Sequence, residues 1–82
     1  MDDQAIRSEI LRLTARRGPG KTICPSEVAR ALASDWRPLM DDVRRAAAAL
    51  AREGRIAVTR KGAPVDAERA AGPIRLGAPQ AE

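Results

Sequence analysis

A chain of 82 residues with a formal charge of +4 is short enough for one small domain and basic enough to attract polyanions. It has no histidine and one cysteine, which excludes an internal disulfide and a zinc cluster of cysteines and histidines. No apolar run approaches membrane-spanning length, and none follows the acidic start, so the expectation is a cytoplasmic protein without membrane contact.

The first helix is expected from about Gln4 to Arg17, where Ile6, Ile10 and Leu13 recur at helical spacing and Leu11 widens the stripe. Gly18-Pro19-Gly20 ends it. Lys21-Thr22-Ile23 is long enough for one short strand. Pro25 and Glu27 then mark a helix start at Cys24, and Val28 and Leu32 give that helix a buried edge. It ends near Ala33.

A longer third helix is expected from about Trp36 to Glu53, capped by Asp35 and closed by Gly54, with Pro38 tolerated in its first turn. Trp36, Leu39, Met40, Val43, Ala47 and Leu50 share one face of its wheel, and Asp41, Arg45, Ala48 and Arg52 share the opposite one. Ile56 and Val58 alternate with smaller residues as a half-buried strand. Lys61-Gly62-Ala63-Pro64 reads as a break. A helical turn starting at Asp66 falls in the connection that follows, and Ile74-Arg75-Leu76 returns as the strand's partner. The pattern predicts one α+β domain over residues 1–82, ordered from about 4 to 76, with a flexible tail over 77–82. Its order of elements is that of a small winged helix-turn-helix: three helices, one short strand and a two-stranded wing.

Thirteen of the fifteen basic residues are arginine, which favours phosphate or carboxylate recognition over simple solubility. In this fold the third helix often enters a DNA groove. The candidate nucleic-acid-binding residues are therefore Arg44, Arg45, Ala48 and Arg52 on that helix, and Arg60 and Lys61 at the wing. Ala48 would let a groove approach closely. Against this, Asp41 and Asp42 occupy the end that usually meets phosphates, and Asp41 is placed to pair with Arg45. The same face is thus also readable as a solvated, salt-bridged one.

Three features have blander readings. Ala15 to Thr22, ARRGPGKT, formally fits a phosphate-loop pattern, but that chemistry needs a strand before the loop and a helix straight after it. Here a helix precedes, so nucleotide hydrolysis is not expected. Cys24 at a helix start is a structural cap unless a base lies beside it. Trp36 is expected to plug the third helix against the core. No catalytic residue, cofactor site or metal site emerges, and an enzyme is not expected.

The runs GPGKTICPSEVARAL, WRPLM, GRIAVTRKGAPVD and GPIRL, in that order, resemble an uncharacterised bacterial family, the domain-of-unknown-function 3253 family. The resemblance covers about Ile6 to Leu76. It implies a winged-helix fold, supplies no activity, and carries over no functional residue. Three functions stay open: a non-enzymatic domain binding double-stranded DNA, in a regulatory role; a protein-interaction module; and a redox sensor through Cys24. The sequence leaves the oligomeric state open.

Overall fold

In the computed structural model, which describes residues 2–79, the first and third α-helices pack against a four-stranded antiparallel sheet and the second packs against those two helices. Helix α1 spans Asp3–Arg17, where Asp2 accepts a bond from the Ala5 N–H at 2.7 Å and Gly18 ends the helix at φ +90°. Strand β1 is Thr22–Ile23 and helix α2 is Pro25–Leu32. The Glu27 carboxylate reaches back to the Cys24 N–H at 2.8 Å, a reciprocal cap at the start of α2.

Helix α3 is Met40–Arg52 and begins later than the sequence pattern suggests. Arg37–Leu39 form a 3-10 turn, with the Leu39 N–H on the Trp36 carbonyl at 2.9 Å. Pro38 has no N–H to give and restrains the residue before it, so the chain tightens here before α-helical bonding starts. Asp35 therefore lies outside the helix and does not cap it.

Strand β2 is Ala57–Arg60, β3 is Ala63–Pro64 and β4 is Arg75–Gly77, in the sheet order β1-β4-β2-β3. Strand β4 pairs with both β2 and β1, as a winged-helix arrangement requires. Strand β3 is an addition. Lys61 and Gly62 both take left-handed φ values (+52° and +82°), which closes a two-residue hairpin where the sequence suggested only a break. Pro64 is tolerated because β3 is an edge strand. Gly77, placed by the sequence in a flexible tail, is buried in β4; the rest of that expected tail beyond Pro79 lies outside the described residues.

The core joins Ile6 and Ile10 of α1, Val28 of α2, Val43 and Leu50 of α3, and Ile23, Val58 and Leu76 of the sheet. Ala46, Ala47 and Ala48 are all buried, so α3 is covered on more than one side. Helix α1 packs against it, and so does the connection between β3 and β4, whose Ala67 is fully buried.

Candidate nucleic-acid interface

The connection from Val65 to Ile74 decides what α3 can present. It turns at Asp66, whose carbonyl accepts from Ala70 N–H at 2.8 Å and whose carboxylate accepts from Glu68 N–H at 2.8 Å. Arg44 then donates to three of its carbonyls: Ala67 at 3.3 Å, Ala70 at 2.8 Å and Gly72 at 2.6 Å. Arg60 donates to the Ala71 carbonyl, and its guanidinium lies against Gly72.

Two of the expected binding residues are therefore internal fasteners. Arg44 donates to three backbone carbonyls of the wing connection and Arg60 to one. Ala48, expected on an open face, is only 3% exposed, and it lines a hollow of about 210 Å³ together with Val65, Asp66 and Ala67. The wheel placed it opposite the core correctly; the returning wing makes that second side an interior one.

Arg45 and Arg52 remain exposed, each with an acidic neighbour. Arg45 pairs at 2.7 Å with Asp42 rather than Asp41, and lines a hollow with Asp3 and Arg7 of α1. Arg52 faces the wing connection, 3.3 Å from Glu68 and 3.9 Å from Asp66. Lys61 is exposed at the hairpin turn.

The denser basic surface lies where α1 meets β1. Arg16, Arg17, Lys21 and Leu13 line a cleft of about 390 Å³. Arg17 and Arg75 converge on one acceptor, the Thr22 carbonyl, at 2.8 and 3.1 Å, and Arg75 also donates to Thr22 Oγ1 at 2.9 Å. The acid among them is Glu27, 2.7 Å from Arg17. The Cys24 N–H holds that carboxyl below its ordinary value, and Arg17 and Arg75 add to the effect.

Lys21 also borders a trough of about 740 Å³ across the outer face of the sheet, which reaches the hairpin turn at Gly62. Thr22, Gly77 and Ala57 lie side by side in register as its floor. A Cβ on Gly77 would stand 3.2 Å from the Lys21 carbonyl, so glycine keeps that floor low and β1 close. The floor carries no bulky side chain, and its ends carry Lys21 and the Lys61-Gly62 turn. Among the described residues, Arg16, Lys21 and Lys61 have no carboxylate within ion-pair distance.

The sequence held a signal for this surface. Beyond its phosphate-loop pattern, ARRGPGKT places three cations, Arg16, Arg17 and Lys21, in a six-residue stretch. The structure puts a helix before it and a strand after it, the reverse of what a nucleotide cradle needs. What the run builds instead is a basic cleft.

Cys24 is half-buried, and its Sγ accepts from Ser26 Oγ at 3.1 Å. Trp36 is half-buried at the edge of the core, a shallower plug than expected, with two guanidiniums over its ring.

Residues 3–79 match the family described as "Protein of unknown function (DUF3253)". The chain belongs to this family. No curated protein matches the chain. Among the described residues of this DUF3253 member, no helix is long and apolar enough to cross a membrane.

Proposed function

We propose that this DUF3253 protein is a non-enzymatic, cytoplasmic domain that holds double-stranded DNA by its phosphates, without reading base sequence. The observation that carries the reading is the distribution of cations lacking carboxylate partners. Arg16 and Lys21 line the cleft, Lys21 also borders the sheet trough, and Lys61 adjoins Gly62 at the trough's far end, whereas Arg45 and Arg52 of α3 pair with acids. Contacts of this kind position a duplex and carry no sequence information. The step from a winged-helix-like arrangement to DNA is analogy; the cation distribution is what supports this choice of surface.

A salt titration with a labelled duplex tests it. About four phosphate contacts give a log–log slope of about −3 to −4, with a dissociation constant near micromolar or weaker at physiological salt. Arg16→Ala with Lys21→Ala should remove about half of that slope and weaken binding about tenfold at low salt. Arg45→Ala with Arg52→Ala should change little, and unrelated duplexes should bind alike. Absence of binding at low salt defeats the reading; dependence on Arg45 and Arg52 alone returns the surface to α3.

A further inference from the structure

The cleft and trough use no residue of α2 or of the turn before α3, yet that elbow carries a second cluster of unneutralised charge. Trp36 is the only aromatic side chain in the protein. The guanidinium carbons of Arg30, in the last turn of α2, and Arg37, opening the 3-10 turn, lie 4.6 and 4.7 Å from its ring centroid. Both arginines are exposed, and among the described residues neither joins an ion pair.

The ring does two things for these arginines. It attracts each cation to its face, and it holds a long side chain in one orientation. A guanidinium has five N–H donors in a planar fork. Two forks held in place without acceptors are preorganised for carboxylates, because much of the ordering cost is already met within the free protein. Trp36 itself is only half-buried, and Leu32, Leu39 and Met40 on the adjoining turns are half-buried too. The patch is thus mixed, with aromatic and aliphatic surface beside two cations. Trp and Arg are the residues that most often dominate binding energy at protein interfaces.

The local acids choose between ligands. Asp35 and Asp41, both exposed and near in sequence, have no ion-pair partner among the described residues. A duplex laid here would bring a row of phosphates past them, whereas a short peptide can place its carboxylates on the two forks alone. We propose that Arg30, Trp36 and Arg37 form a docking site for an acidic–apolar segment of a partner protein, separate from the DNA surface.

Trp36 reports on its own site, since no tyrosine or second tryptophan contributes to emission. The probe is a synthetic peptide in which Glu pairs alternate with Leu, with a counterpart carrying Gln in place of Glu. The acidic peptide should shift Trp36 emission saturably, at roughly 10–100 μM as for a small transient interface, and the Gln peptide should not. With labelled peptide, Arg30→Ala plus Arg37→Ala should weaken binding at least about tenfold, and the two lysine replacements should restore only part, since ammonium lacks the fork. Arg16→Ala plus Lys21→Ala should leave peptide binding unchanged while weakening DNA, which separates this site from the first. Thermal melts of all variants check that the fold is retained, and the lysine pair serves if the alanine pair unfolds. No saturable shift, an equal response to the Gln peptide, or wild-type affinity in a folded arginine variant overturns the proposal. So does an arginine-dependent shift caused by duplex DNA, which would assign the patch to nucleic acid.

Discussion

Arg44 shows how one side chain can be misread on a helical wheel. Its position beside Arg45 suggests a basic reading face, yet its donors close the wing connection onto α3 through three carbonyls. Charge-assisted bonds of this kind are worth more than neutral ones, and removing the donor leaves part-buried acceptors without partners. Arg44→Ala should cost about 2–3 kcal/mol in urea unfolding, and proteolysis between residues 66 and 72 should speed up. Lysine at this position can satisfy one carbonyl well but not three, so it should recover less than half. Trp36 makes the opposite case. A fully buried tryptophan replaced by alanine would cost about 3–5 kcal/mol; with this ring half-buried, about 2 kcal/mol is expected from the same relation. A loss near the upper figure would show that the ring packs more deeply than its exposure suggests.

At the scale of elements, the hairpin between β2 and β3 has a two-residue loop with both residues left-handed, and Lys is an unusual occupant of the first place. A side chain there meets the following carbonyl, a strain of about 1 kcal/mol that Asn largely avoids. Lys61→Asn should therefore raise stability by about 0.5 kcal/mol in thermal melts, while lowering duplex affinity through the lost charge. Lys61→Val should destabilise, because a β-branched side chain fits this conformation worst. Helix α3 argues from the same kind of local detail. Its four consecutive alanines are good helix formers, and their small volume lets α1 and the wing connection approach from two sides.

For the whole molecule, carboxylates act as ties between elements that are distant in sequence. Glu53 at the end of α3 holds Arg7 of α1 at 2.8 Å, and Glu27 of α2 holds Arg17 of α1 at 2.7 Å. Within α1, Glu9 pairs with Arg12. Hydrogen bonding keeps all three carboxyls below their ordinary value near 4.5: Arg12 acts on Glu9, chiefly the Cys24 N–H on Glu27, and Arg7 on Glu53. A depressed pKa in the folded state means that folding favours the charged form. This contribution is complete above about pH 4.5 and is lost as pH falls through the depressed values. Stability should thus be flat toward neutral pH and decline below about pH 4.5, and Glu27→Gln should make the decline shallower. An unchanged acid limb in that variant would show that Glu27 does not take part.

The local pattern was enough for the order of three helices and three of the strands, because hydrophobic periodicity, a proline at a helix start and glycines at helix ends act within a few residues. The same pattern paired β2 with β4 and put Ile6, Ile10, Val43, Leu50 and Val58 in the core. It failed where contacts cross the chain. Nothing near Ala48 in sequence says that residues 65–73 will return to cover it, and nothing near Arg75 says that it will share an acceptor with Arg17. Charge along the sequence thus fixed only how basic the protein is. Which arginines are spent on carbonyls and carboxylates, and which are left facing solvent, was decided by long-range packing, since hydrogen bonds and ion pairs depend on distances that only the folded chain sets.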